Sequence, residues 1–203
     1  GIRNGSGCGL DKTARLRLFF GLEIPDRVKH RLLAIQQPVA GARWQRADQL
    51  HLTLAFLGSV EAERLPAISE AARNLPVKPF DLTVTGVGCF GDPDHPKNLW
   101  AGLQPVKELA GLQVALNERL ALAGFPQEQR RFRPHITLAR FSRKSAGSVR
   151  EVLGVHRDIQ AGSFLVERIV LFRSIQGAHG SVYEVLDRFI FGRPAEEPRL
   201  PAG

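Results

Sequence analysis

His51–Gly58 reads HLTLAFLG, and 84 positions further on His135–Ser142 reads HITLARFS. The first stretch alternates. His51, Thr53, Ala55 and Leu57 fall on one face of an extended strand, and Leu50, Leu52, Leu54 and Phe56 fall on the other. In both stretches a threonine follows a histidine by two residues, and residues i and i+2 of a strand point the same way. His51 therefore shares a face with Thr53, and His135 shares one with Thr137.

The surroundings of the two phrases also match. Arg15 to Ile24 (RLRLFFGLEI) reads as a buried strand. Pro25 suits a first helical turn, and Val28, Leu32, Leu33 and Ile35 follow at helical spacing. A loop around Gly41 then leads through Trp44 to the first histidine strand. Further along, Asn98 to Leu103 reads as a strand and Pro105 opens a second helix. That helix, about 106–123, carries Leu109, Leu112, Leu116 and Leu120; Gly124 stops it, and FRPHITLAR returns the chain to a strand. The pair Gly21–Leu22 precedes His51 by 30 residues, and Gly102–Leu103 precedes His135 by 33. This order reads as the internal duplication of a small unit.

Helices are also expected over about 61–74 and 145–155. Further strands are expected over 80–90, 164–172 and 182–191, with the turn-rich GDPDHPK between the strands at 80–90 and 98–103. Two-residue alternation with short links predicts an α+β fold. It is bilobal, with two pseudo-symmetric antiparallel sheets flanked by helices around a central cleft. Residues 15–191 form the expected single domain. Residues 1–14 lack periodicity and read as a flexible extension, and the proline-rich 192–203 reads as a loose tail.

Composition narrows the function. Lysine and arginine total 28 against 20 acidic residues, for a net charge of +8, a balance that favours anionic partners such as nucleic acid or nucleotides. No apolar run has the ~20 residues of a membrane span, so no membrane partner is expected. Cys8 and Cys89 are the only cysteines and form no CxxC pair. Neither a zinc site nor a disulfide framework follows from them, and a reduced cytoplasm is the expected compartment.

If the two repeats face each other, two imidazoles and two hydroxyls converge. One neutral histidine takes a proton from water while the other, protonated, gives one to a departing oxygen. The hydroxyls donate to the non-bridging oxygens of a phosphate. A lone His-x-Thr is most often an exposed strand face; two copies in matching repeats argue for chemistry. A strand His-x-Thr offers one strong metal ligand, and no third ligand lies at a recognisable spacing, so no metal or other cofactor is expected. Arg130, Arg131, Arg133, Arg140, Arg143 and Lys144 cluster about the second phrase. Arg140 lies five residues after His135 and faces away from it in a regular strand, whereas a bulge turns it into the cleft. Phe56 and Trp44 are stacking candidates for a nucleobase, with core packing the alternative for Phe56. Tyr183, the only tyrosine, is either a ligand contact or a strand aromatic. His30, His95, His156 and His179 stand in no repeated context and read as surface residues.

In these residues the chain resembles the two-histidine phosphoesterase superfamily. Within it, the chain is most similar to the RNA 2′,3′-cyclic phosphodiesterases, also called 2′-5′ RNA ligase-like proteins. The matching pieces are RLFFGLEIP, LHLTLAFLG, GVGCFG (86–91), NLWAGL, FRPHITLAR, IVLFRS and VYEVLDRF, spanning about 16–191. The resemblance implies hydrolysis of RNA 2′,3′-cyclic phosphate ends to 2′-phosphates, with His51 as proton donor and His135 as proton acceptor; a monomer is expected. Thr53 and Thr137 hold the phosphate. Related cyclic nucleotides are other substrates within the superfamily. Two further readings stay open: reversible 2′-5′ ligation of tRNA halves, and a nucleotide- or RNA-binding module without turnover.

Overall fold

A computed structural model of the chain describes residues 11, 13–127 and 131–192. Most of the expected extension and tail, with Cys8 and Arg130, lies outside these residues.

The first strand, β1 (Arg15–Glu23), buries Leu16, Leu18, Phe19, Phe20 and Leu22. Pro25 caps α1 (Asp26–Leu33), which has Asp26 in its first turn and His30 and Arg31 in its last, signs that suit the helix dipole. A short strand missed by the periodicity, β2 (Ala42–Trp44), precedes the histidine strand β3 (His51–Glu61). Because β3 runs on to Glu61, the helix expected from 61 is shorter: α2 spans Leu65–Ala72. The strands β4 (Phe80–Asp92) and β5 (His95–Gln104) extend deep into GDPDHPK, leaving only Pro93–Asp94 as the turn of a hairpin.

Helix α3 (Val106–Leu122) buries the four leucines at positions 109, 112, 116 and 120. Its end is closed by Gly124 at φ 90°, with the Phe125 N–H donating to the Leu120 carbonyl. After β6 (Ile136–Phe141), helix α4 (Arg150–His156) starts later than expected, since the chain over 142–149 packs instead against the loop at Ala40 and Gly41. The strand expected over 164–172 is two, β7 (Gln160–Val166) and β8 (Arg168–Gly177), separated at Glu167. β9 (Gly180–Ile190) completes a hairpin with β8.

The architecture is the expected α+β fold. Neighbouring strands pair antiparallel, in the order β7-β4-β5-β6-β3-β1-β8-β9, with β2 added beside β6. The four strands β7-β4-β5-β6 form one lobe and β3-β1-β8-β9 the other. The lobes are hydrogen-bonded into one sheet path through a single register pair, Leu52 with Ile136. They do not coincide with successive halves of the chain. Strands β8 and β9 come last but lie beside β1, so the C-terminal segment returns to the lobe in which the chain begins. One large core of buried leucine, isoleucine and valine joins both lobes beneath the sheet.

One close approach fixes β1 against β3. A Cβ on Gly21 would stand 2.3 Å from the Leu52 carbonyl oxygen, beside the first histidine. Gly21→Ala should therefore lose about 1–3 kcal/mol of stability by overpacking. Gly111→Ala on α3, where nothing lies within 4 Å, should gain about 1 kcal/mol from helix propensity. Urea denaturation of both variants checks the contrast, and equal stabilities would contradict it.

Candidate active site

The single register pair between the lobes places the two repeated phrases side by side. Leu52 follows His51, Ile136 follows His135, and these two buried residues face each other on antiparallel strands. Antiparallel register then sets His51 across from Thr137 and Thr53 across from His135. The four side chains occupy one face as the corners of a small rectangle. In a regular pair the opposite corners, the two histidines, are diagonal neighbours at roughly 7–8 Å.

Each histidine is held in the same way. The Nδ1–H of His51 donates to the Gln49 carbonyl at 2.7 Å, and that of His135 donates to the Arg133 carbonyl at 2.7 Å. Both bonds reach back two residues and reserve Nδ1 as the donor. Nε2 is left as the working nitrogen of both rings. The Thr53 hydroxyl donates to His51 Nε2 at 3.0 Å.

The environments of the rings differ. His51 is half-buried in an aromatic nest, with Phe19 at 5.0 Å, Phe172 at 5.9 Å and Tyr183 edge-on at 4.8 Å between ring centroids. Burial pulls its pKa down to about 4. The hydrogen bond to Gln49 opposes that fall, and the positive charges of Arg140 and His135 add to it. His135 meets one aromatic ring, Phe90, edge-on at 5.0 Å.

The strands carry matching bulges three residues past each histidine. On β3, Thr53 pairs with Gly21 and Ala55 with Phe20, leaving Leu54 as the extra residue. On β6, Thr137 pairs with Trp100 and Ala139 with Leu99, leaving Leu138 extra. A bulge inverts the alternation beyond it. Ala55 and Ala139 become core residues, and the residues after them turn outward. Those residues are Phe56 and Arg140, five positions after their histidines. This corrects the regular alternation that put Phe56 on the core face: its side chain is 69% exposed. Arg140 lies on the cleft side, near enough for its charge to act on His51.

Two recesses open beside the four corners. The wider, about 720 Å³, is lined by Thr53, Phe56, Phe90, Phe132, Arg133 and His135 among others, with Gln113 and Asn117 of α3 at its back. The narrower, about 200 Å³, is lined by Arg43, Gln45, Gln49, Arg140, His179 and Tyr183 among others. Its wall is the β8–β9 turn. Arg46 holds that turn through the carbonyls of His179 (2.6 Å) and Ser181 (3.2 Å), and Gln49 holds it through that of Ser181 (2.9 Å).

The structure thus gathers His51, Thr53, His135 and Thr137 on one face and sets Phe56, Arg140 and Tyr183 around them. Trp44 is engaged elsewhere, its indole N–H donating to the Gln37 carbonyl at 3.1 Å. Arg143 and Lys144 line a separate groove with His95 and Lys97. His179, read as an ordinary surface residue, is exposed but lines the narrow recess. Phe19, Phe90, Arg43, Gln45 and Gln49 were not singled out in the sequence. The carbonyls two residues before each histidine, at Gln49 and Arg133, belong to unlike residues, so no shared side chain announces them. Among the described residues no three His, Cys, Asp or Glu side chains group as metal ligands, and no helix is long and apolar enough to cross a membrane.

Comparison with known proteins places the chain in a family. A relative from Archaeoglobus fulgidus named RNA 2′,3′-cyclic phosphodiesterase is 29% identical over 177 residues, covering 86% of this chain and 99% of the relative. A crystal structure from Thermus thermophilus superposes with a TM-score of 0.73 at 28% identity, covering 88% of this chain and 100% of that one. The Escherichia coli LigT structure in complex with 3′-AMP gives 0.71 at 30% identity, covering 88% and 99%. The family model described as LigT like Phosphoesterase matches residues 22–100 and 103–183, both histidine strands included, and the chain belongs to that family.

Proposed function

We propose that the chain is a metal-independent RNA 2′,3′-cyclic phosphodiesterase that opens the ring to a 2′-phosphomonoester. The observation that carries this reading is the paired clamp. Two histidines on one face each commit Nδ1 to a carbonyl at 2.7 Å and keep Nε2 for proton transfer. A module that only binds has no need of two oriented acid–base nitrogens. The names of the relatives and the 3′-AMP complex of the Escherichia coli neighbour support the same class of substrate.

In this reading the cyclic phosphate sits over the rectangle between the two strands. The hydroxyls of Thr53 and Thr137 donate to its non-bridging oxygens, where charge gathers in the transition state. His135 takes the proton from the attacking water, and His51 gives a proton to the departing ring oxygen. In-line displacement needs the two histidines on opposite sides of phosphorus, and their diagonal register supports that arrangement. Arg140 adds positive charge at the rim, Phe56 offers an exposed ring for stacking, and Tyr183 fixes the tilt of the His51 ring.

The acid role makes a demand on His51. With a pKa of about 4 the ring is neutral at neutral pH in the free enzyme. A bound phosphate anion favours the charged imidazolium and raises that value. NMR titration of free enzyme should find the His51 midpoint at about 4, shifted upward by added inorganic phosphate. Kinetically, one midpoint of the kcat/KM profile should lie near pH 4, and the corresponding midpoint of kcat should lie higher, because the second reports the complex. A His51 midpoint that phosphate leaves unmoved would remove His51 from the acid role.

The activity itself is tested with a short RNA ending in a 2′,3′-cyclic phosphate, with and without chelator. Turnover to a phosphomonoester should be equal in both. Activity lost to chelator and restored by one metal ion would contradict the proposal.

A further inference from the structure

The sheet face that carries His51 continues past the four corners over β1, β8 and β9. Alternation on β1 puts Arg17 and Phe19 on that face, while Leu16, Leu18 and Phe20 are buried in the core on the other. Phe19 marks the face, since its ring stands 5.0 Å from that of His51. Register then lays two rows across the strands. One is Phe56, Phe19 and Phe172; the next is Ser59, Arg17, Ser174 and Tyr183. Gly21 of β1 is the partner of Thr53, so Arg17 lies roughly 13 Å along the strand from that corner.

Two other arginines of this face are matched by carboxylates. Arg15 pairs with Glu61 at 3.6 Å, and Arg188 pairs with Glu23 at 2.7 Å. Arg17 is exposed, and among the described residues it is in no ion pair and over no aromatic ring. Its direct cross-strand neighbours are serines. The Ser59 hydroxyl accepts from Arg15 Nε at 3.0 Å, which leaves its own proton to donate. Ser174 offers a second hydroxyl on the other side. A separate observation concerns Phe56, which stands diagonal to Arg17 across the strand pair with its ring in water. An aromatic ring for a base, next to a cation and hydroxyls for the backbone, is how proteins grip a single strand.

We propose that Arg17, flanked by Ser59 and Ser174, anchors the RNA backbone by holding a phosphodiester upstream of the terminal nucleotide. This rests on the reading of the main site as the seat of an RNA cyclic phosphate. An RNA with a 2′,3′-cyclic end continues in one direction only, through its 5′ oxygen. A terminal nucleotide seated over Thr53 and Phe56 leaves the next row of the sheet to the chain that precedes it. The guanidinium fork meets the two free oxygens of the phosphodiester, and the serine hydroxyls donate from either side. The enzyme then prefers the end of an RNA chain to a free cyclic mononucleotide. The rival path is the groove of Lys97, Arg143 and Lys144, which shares no lining residue with either recess at the corners.

The test is calorimetric binding of adenosine 2′-phosphate and of an RNA of four adenosines ending in a 2′-phosphate, with turnover of the matching cyclic phosphates measured in parallel. Wild type should bind the longer RNA about tenfold more tightly. Arg17→Gln should remove most of that ratio and leave binding of adenosine 2′-phosphate and turnover of its cyclic form unchanged. Arg17→Lys should keep part of the ratio, and Ser174→Val should lower it by a smaller factor. The dependence of longer-RNA binding on salt should also become shallower in Arg17→Gln, by about 0.7 in the log–log slope. The combined Lys97→Gln, Arg143→Gln and Lys144→Gln variant should keep the wild-type ratio. A wild-type ratio near one, or a ratio that Arg17→Gln leaves unchanged, overturns the anchor. So does a ratio lost in the combined variant instead, or an Arg17→Gln defect equal for both ligands. Turnover reports separately. Cyclic phosphates left intact, with the length preference present and lost in Arg17→Gln, would defeat the proposed activity and leave the anchor standing.

Discussion

Removing either histidine should lower turnover of an RNA 2′,3′-cyclic phosphate by roughly 10²–10⁴-fold, the cost of a lost general acid or base. The two losses should differ in kind. In the proposed mechanism His51, as the acid, serves a ring oxygen that leaves poorly without a proton. An aryl phosphodiester such as bis(4-nitrophenyl) phosphate releases a stable phenolate and needs no such help. On that substrate the defect of the His51 variant should shrink to roughly tenfold or less, while that of the His135 variant persists, because water still needs a base. Rescue of the His135 variant instead would reverse the roles. Glutamine is the better replacement at position 51. The ring packs among Phe19, Phe172 and Tyr183, so alanine would open a gap in that cluster as well as remove the acid. Thermal melts of both variants separate the two effects.

The second large effect belongs to the threonines. Thr53→Val and Thr137→Val keep the shape of the side chain and remove the hydrogen-bond donor proposed for the phosphate. Each should lower kcat by roughly 10²–10³-fold, as loss of one oxyanion donor does, with less change in KM. Thr53 carries an additional role in the free enzyme, where its hydroxyl donates to His51 Nε2. Thr53→Val should therefore raise the His51 midpoint slightly by removing a donor to the neutral ring, and Thr137→Val should not. Turnover within a few-fold of wild type in both variants would take the hydroxyls out of the transition state.

The repeated phrases carried most of this in the sequence. Alternation located both histidine strands, and Pro25 and Pro105 marked the starts of α1 and α3. Bulges are where alternation ceased to inform. A single extra residue, Leu54 or Leu138, reverses which side chains face the cleft, and nothing in the apolar character of HLTLAF or HITLAR announces it. Regular alternation therefore puts Phe56 on the core side and does not decide the side of Arg140. The narrow recess was invisible for another reason. It is assembled from residues 43–49, 140 and 176–183, brought together because β8 and β9 return to β1 and β2 crosses to β6. Such long-range pairings leave no local pattern. The pairing of Arg43 with Arg140 shows only once the register is known.

The most direct test of the central claim is the product formed from a short RNA ending in a 2′,3′-cyclic phosphate, read by phosphorus NMR in the presence of chelator. In the proposed mechanism, two histidines at opposite corners present a single ring oxygen to the acid. The account predicts complete conversion to one phosphomonoester, the 2′-phosphate, resistant to a 3′-specific phosphatase. An unchanged cyclic phosphate would contradict the proposed activity, and a 3′-phosphate or a mixture of the two isomers would contradict the proposed orientation.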